Sequence, residues 1–458
     1  MHLFPQLRKI EQKYGDRVVI IGVHSPKFPA ERDTANLRDA VLRYRIEHPV
    51  INDRDFNVWH QFAGRAWPTL MFIDPQGRVI GKHEGELPFE RFDPLVSGML
   101  REFDERGLLD PRAPRIGLAE IREPQGVLRF PGKVLVADDV LYIADTNHHR
   151  IVCARSDGRI VRTFGSGKPG LADGPAAVAQ FQQPQGMALG AATLYIADTE
   201  NHAIRALDLA TGGVTTLAGT GGQAAHPGDP GHTGASRSTA LSSPWDLALD
   251  GDTLYIAMAG THQIWSLALN TGVIGAFAGT GREGLLDGPR AEAWFAQSSG
   301  LALVRDHLYV ADSEVSAIRD IDLRAGTVRT LVGEDLFVFG DQDGEGDVVR
   351  LQHPLGLTAR GETLFIADSY NHKVKRLDPA VRTVSTWLGS GRPDNADGPP
   401  EAASFREPGG VCSARAGLLI ADTNNHRIAI ASWDTGVVRT LIGGLPTGVT
   451  LKNAHEDL

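Results

Sequence analysis

One phrase returns six times along this chain. LYIADTNHHRI (141–151) recurs as LYIADTENHAI (194–204), LYIAMAGTHQI (254–264), LYVADSEVSAI (308–318), LFIADSYNHKV (364–374) and LLIADTNNHRI (418–428). The starts lie 53, 60, 54, 56 and 54 residues apart. A period of this length marks one supersecondary unit used repeatedly. A Gly-containing apolar strand such as PQGMALG (184–190) precedes the phrase, and a strand such as GGVTTLAG (212–219) follows it. Loops such as GKPGLADGPAAVAQF (167–181) join the units. Four short strands in each of six units predict a six-bladed β-propeller over residues 125–444. A single blade cannot bury both faces, whereas a ring covers each blade with its neighbours and leaves no long open edge. Unit one starts at its first strand and unit six ends at its fourth, so no strand exchange is expected. Segments 120–128 and 446–451 are candidates for a clasp.

The first quarter follows different rules. VVIIGVHS (18–25) is an apolar run of strand length, ERDTANLRDAVLRYRI (31–46) reads as a helix, and PVIND (49–53) is a short strand. DFNVWHQFAG (55–64) is a short helix, and WPTLMFIDPQGRVIGKHEG (67–85) is a hairpin around Asp74-Pro75-Gln76-Gly77. PFERFDPLVSGMLREF (88–103) closes the series as a helix. This order is α/β logic. The fold class is therefore mainly β: the propeller preceded by a small α/β domain (1–103), with a linker (104–124) between them and a tail (445–458) after. MHLFPQLRKI places Leu3, Phe4, Leu7 and Ile10 at helical spacing with no cap in front, which reads as the second half of a helix.

The formal net charge is −10 and no Lys/Arg block stands against it, which disfavours a nucleic-acid surface. No apolar stretch has the length of a membrane span, so no membrane partner is expected. The two cysteines, Cys153 and Cys412, lie far apart within strand patterns. They read as core thiols, exclude a disulfide framework and fit a reducing, cytoplasmic location.

Asp145, Asp198, Asp312, Asp368 and Asp422, with His148, His202, His262, His372 and His426, could form a ring of metal ligands. Recurrence once per blade instead assigns them to the blade: the Asp ends a strand and accepts backbone N–H bonds in the following turn, which the Asn-His pair shapes. Two units depart from this. Met258 replaces the Asp in IAMAGTHQIW, and ADSEVSAI lacks Asn-His, so both are expected to have lost the shared turn chemistry. FVFGDQDGEGD (337–347) alternates Asp341, Asp343 and Glu345 but lacks the spacing of a calcium loop. No metal and no cofactor is expected. No phosphate loop, HExxH or CxxC occurs.

The phrase LYIADTxNHxIR, with its ADGP and PxG companions, resembles the NHL repeat. Trp67-Pro68-Thr69 followed by LMFIDPQGRVIG resembles the cis-proline loop of thioredoxin-like folds of the TlpA type. Together with GVHSPKFP, VLRYRIEHPVIND, IAMAGTHQIW, FGDQDG and LQHPLG, the chain is similar to the NHL-repeat-containing protein 2 family, in which the two are fused. The resemblance implies that Trp67, Pro68 and Thr69 face an active-site dithiol. It also implies that a strand and a Cys-x-x-Cys precede the helix now starting at Met1. Met1 then reads as an internal methionine of a longer chain. The runs beginning at Val18 and Trp67 would flank that strand, and direct pairing between them would overturn the reading. The expected function is a protein-interaction scaffold, its protein or peptide partner on the propeller face or in an interdomain cleft. Thiol-disulfide exchange is expected only where the Cys-x-x-Cys segment is present; without it this chain is not an enzyme. The alternatives are a purely non-catalytic interaction protein, or a metal-dependent hydrolase or lyase in the propeller channel. The last would need inward-facing ligands, whereas the inner strands read MALG, LALD, LALV, LTAR and VCSA.

Overall fold

The computed structural model describes residues 3–110 and 126–444. The chain divides into two compact units, Met1–Glu123 and Pro124–Leu458. The first contains α1 (Leu3–Tyr14), β1 (Gly22–His24), α2 (Thr34–Arg43), β2 (Val50–Asn52), α3 (Asn57–Gln61), β3 (Thr69–Ile73), β4 (Val79–Glu84) and α4 (Phe89–Glu105). Asp33 starts α2 by accepting the N–H groups of Ala35 and Asn36, so the helix begins later than its sequence pattern. Helix α4 runs two residues past the expected boundary at 103. The rest of the expected linker, from 111 on, and the tail lie outside the described residues.

The first unit holds two separate ribbons. Strand β1 pairs in parallel with β2, and β3 pairs antiparallel with β4. Among the described residues no ladder joins the two. Both nonetheless feed one core: Val18 and Ile20, just before β1, and Leu70 and Phe72 of β3 pack with Leu7, Ile10, Phe92, Val96 and Leu100. Alternate side chains of an extended segment point to opposite faces. The other face of these segments therefore carries Val19, Ile21, Val23 and Ile73, all exposed, with Ile51 opposite Val23 and Val79 opposite Ile73.

The second unit is a six-bladed propeller. Blade 1 comprises Val134–Ala137, Val140–Asp145, Arg150–Arg155 and Ile160–Phe164. Blades 2 to 6 repeat the arrangement, with inner strands Pro184–Leu189, Pro244–Asp250, Ser298–Val304, Pro354–Arg360 and Pro408–Ser413. Every blade is an antiparallel meander in chain order; in blades 2 to 5 a short segment of the preceding loop adds to its outer edge. Among the described residues no strand is exchanged between blades 1 and 6. The ring closes by side-chain packing: Leu128, Val134, Leu141 and Ile143 share a core with Leu419, Ile428, Ile430 and Ile442. Of the proposed clasp segments, 120–125 and 446–451 lie outside the described residues, while Leu128 is buried in this closing core.

Candidate functional site

In the first unit the Trp67–Pro68 peptide bond is cis and leads into β3. The Trp67 indole N–H donates to the carbonyl of Ser25 at 2.8 Å, which ties the start of β3 to the end of β1. Its ring stacks on Trp59 at 4.5 Å, yet Trp67 remains 44% exposed. The Thr69 hydroxyl donates to the Ala66 carbonyl. Beneath lies Asp53, which the sequence reading did not single out. Its carboxylate accepts the N–H groups of Val58 and Trp59, each at 2.9 Å, and the Ser25 hydroxyl at 2.8 Å. Burial pushes this carboxyl up, but those three bonds outweigh it and hold the group below the usual range. An Asp a few residues ahead of a short helix was the legible signal.

The repeated residues of the propeller are joined to one another, in a pattern different from the expected one. Oδ1 of Asp145, Asp198, Asp312, Asp368 and Asp422 accepts an N–H from the residue 16 positions upstream, at 2.7–2.8 Å, and not one from its own turn. Oδ2 meets a cation: half-buried Arg150, or buried Arg205, Arg319, Lys375 or Arg427. In four blades a loop aspartate (Asp173, Asp287, Asp343, Asp397) holds the far side of that cation. Burial pushes Asp198, Asp312 and Asp368 up to about 6, against the pull of their cations.

The histidines staple neighbouring blades. Nδ1 of His149, His202, His262, His372 and His426 accepts the backbone N–H of Gln183, Ser243, Gln297, Glu407 and Phe130 on the next blade, at 3.0–3.2 Å. An accepting Nδ1 carries no proton, so these rings are bound as the neutral tautomer. All five sit at φ between +48° and +56°. In unit one this residue is His149, and the assignment of His148 is corrected: His148 lies one position earlier and bonds Asp145, as Asn201 bonds Asp198. A Thr or Ser hydroxyl adds a second staple to the next blade in five blades, for example Thr199 to Pro244 and Thr423 to Pro131.

The two deviant units keep the turn, and each lacks only part of the shared chemistry. Ser316 takes the left-handed position in unit four, and its hydroxyl accepts the His353 N–H. In unit three the turn persists at Ala259–Thr261, and it is the charge that has gone. Met258 and Trp265 stand in for the Asp and the Arg, and the Gln263 amide bridges the carbonyls of Gly228 and Gly279 and accepts the Trp265 indole N–H. Acid and base are both absent here, and a neutral set of Met258, Gln263 and Trp265 stands in their place. In the acidic loop, Asp341 and Asp343 pair with Lys373 and Lys375, and Asp343 also accepts the Thr386 N–H. Those carboxylates serve blade 5.

At the axis the sequence reading missed a pair. Aligning the six units places Lys133, Gly186, Asp246, Gly300, Gly356 and Gly410 at one position, two residues after Pro or Ser. The Lys133 ammonium crosses the ring to the Asp246 carboxylate at 3.2 Å and to the carbonyls of Ser299 (2.9 Å) and Leu355 (2.5 Å). Asp246 also accepts the N–H groups of Leu247 and Leu301, both at 3.0 Å. Both residues are buried. The opposed signs of FPGK and PWD at one repeat position were the available clue.

The NHL repeat-containing protein 2 of Gallus gallus is 40% identical over 479 residues, covering 96% of this chain and 66% of its own length. The human protein of that name gives the same figures. The chain belongs to the NHL repeat-containing protein 2 family. Protein SUPPRESSOR OF QUENCHING 1, chloroplastic, of Arabidopsis thaliana is 39% identical over 460 residues, 95% of this chain and 43% of its length. The chain thus spans 66% of the two animal relatives and less than half of the plant one. Thiol-disulfide oxidoreductase YkuV of Bacillus subtilis is 21% identical over 98 residues, 21% of this chain and 66% of that protein. No family model matches the chain.

Proposed function

We propose that this chain is a protein-interaction scaffold of the NHL repeat-containing protein 2 family, whose first unit receives an extended peptide by strand addition. The observation that carries this reading is the pair of open ribbons. Gly22 donates to Pro49 and His24 accepts from Asp53, so the N–H and C=O of Val23 point away from β2. The Pro68 carbonyl accepts from Gly85, so Thr69 and Met71 direct their backbone groups away from β4. Unpaired edges beside exposed Val19, Ile21 and Val23 suit an extended segment with alternating apolar side chains, and a peptide bound there would take the slot that the family resemblance gives to a strand ahead of Met1. In the propeller, by contrast, the repeated acids, cations and imidazoles are consumed by bonds within and between blades. An ammonium on the axis opposes a metal-dependent hydrolase or lyase there.

The test is an anisotropy titration with a labelled eight-residue peptide of alternating Val and Thr. Binding is expected to weaken at least tenfold in Ile21→Lys/Val23→Lys and to vanish for a peptide interrupted by proline. Equal binding of the proline peptide defeats the reading.

A second reading, thiol-disulfide exchange, is favoured by the resemblance to YkuV and by the place of Trp67-Pro68-Thr69. It needs a dithiol, and this chain's two cysteines are buried singly in the propeller. Burial pushes both thiols up, Cys412 to about 11, away from the reactive thiolate. Insulin reduction by this chain is expected at background; turnover above background would restore the second reading.

A further inference from the structure

We propose that the propeller axis is a cation-binding cradle, which the chain fills with its own ammonium at Lys133. The acceptors are built in: one carboxylate oxygen of Asp246 and the carbonyls of Ser299 and Leu355, contributed by blades 3, 4 and 5. Lys133 comes from blade 1. An ammonium has three donors and no acceptor, and all three find partners here. A carboxylate with two carbonyls is equally a donor set for a hard monovalent cation.

The glycines leave room at the axis for the Lys133 and Asp246 side chains alone among the six equivalent positions. A Cβ at Gly186 would meet the Asp246 Cα and Oδ1, each at 2.4 Å. A Cβ at Gly410 would meet the Gly132 carbonyl at 2.8 Å and the Lys133 Cδ at 3.0 Å. Four of six blades give up their side chain, one supplies the cation and one the anion. Burial pulls the lysine toward its neutral form and the aspartate toward its own, and their mutual attraction opposes both. The bridge links four blades through one nitrogen, so it locks the ring.

The ligand class is ammonium or an alkali cation of similar size, and the cradle becomes available to it when the tether is removed. In Lys133→Ala the melting temperature should fall by about 5–10 °C, the cost of leaving a buried carboxylate unpaired. Ammonium or potassium chloride should recover at least half of that fall, relative to tetramethylammonium chloride at equal ionic strength. Lys133→Met, whose thioether fills the path, should show the fall without the recovery. Lys133→Ala/Asp246→Asn should lose the cation dependence. The proposal is overturned if Lys133→Ala responds identically to all three salts, or if Lys133→Met is rescued equally. Should Lys133→Ala be recovered only as aggregate, refolding yields in the same three salts give the same comparison, and equal yields overturn the proposal.

Discussion

The charged residues of the blades gain their meaning from burial. Arg319 is fully buried with one nitrogen on Asp312 at 3.1 Å and another on Asp287 at 2.8 Å. Removing the guanidinium strands two carboxylates, one of them inaccessible, so Arg319→Met should cost about 3–5 kcal/mol in urea unfolding. Adding Asp312→Met and Asp287→Asn should recover much of that, because blade 3 keeps the same turn with a neutral set. His426 gives the clearest pH dependence. Burial, with Arg129 and Arg406 nearby, lowers it to about 4, and its Nδ1 is engaged by the Phe130 N–H. Between pH 6.5 and 4 the unfolded chain binds a proton that the native one refuses. Stability is therefore full above about pH 7 and falls as pH drops through that window, by up to about 3 kcal/mol for this group. His426→Asn keeps an acceptor and tolerates the left-handed backbone, so its melting temperature should change less between pH 7 and pH 4.5 than that of the parent.

The ribbons of the first unit set the next scale. Their inner faces build a core with α1 and α4, while their outer faces leave Val19, Ile21, Val23, Ile51, Ile73 and Val79 in water. Contiguous exposed apolar surface marks a site of interaction or of aggregation. Ile21→Lys/Val23→Lys should lower the binding of a hydrophobic dye and raise solubility while shifting stability by no more than about 0.5 kcal/mol. A large loss of stability would instead show that these side chains are covered in solution. The inner propeller strands behave in the opposite way. A Cβ at Gly356 would lie 2.8 Å from the Gly410 Cα, backbone against backbone, so Gly356→Ala should cost about 1–3 kcal/mol.

For the whole ring, the question is what holds the last blade to the first. Each blade-to-blade core contains an equivalent β-branched residue: Ile151, Ile204, Ile264, Ile318, Val374 and Ile428. The closing interface carries an equivalent core and both the hydroxyl and the imidazole staple, as three of the other interfaces do, and among the described residues no strand is exchanged there. Ile428→Ala should therefore cost as much as Ile204→Ala, about 2–5 kcal/mol each, with matching m-values. A much smaller loss at Ile428 would mean that the ring stands open there.

The sequence by itself determined the six-unit period, the strand order within each blade and the α/β character of the first unit. These follow from local periodicity and turn chemistry, which repeat with every unit. It also marked Asp198 and His202 and their counterparts as servants of the blade. Tertiary structure decided what they touch. The acid bonds a residue 16 positions away, the histidine bonds the next blade, and His149 rather than His148 fills that place because backbone geometry fixes which residue turns left-handed. The Lys133–Asp246 bridge joins residues 113 apart that meet only once six blades surround one axis, so no local pattern encodes it. Short-range periodicity fixes elements; closure of the ring fixes partners, because burial alone makes an unpaired charge costly enough to select them.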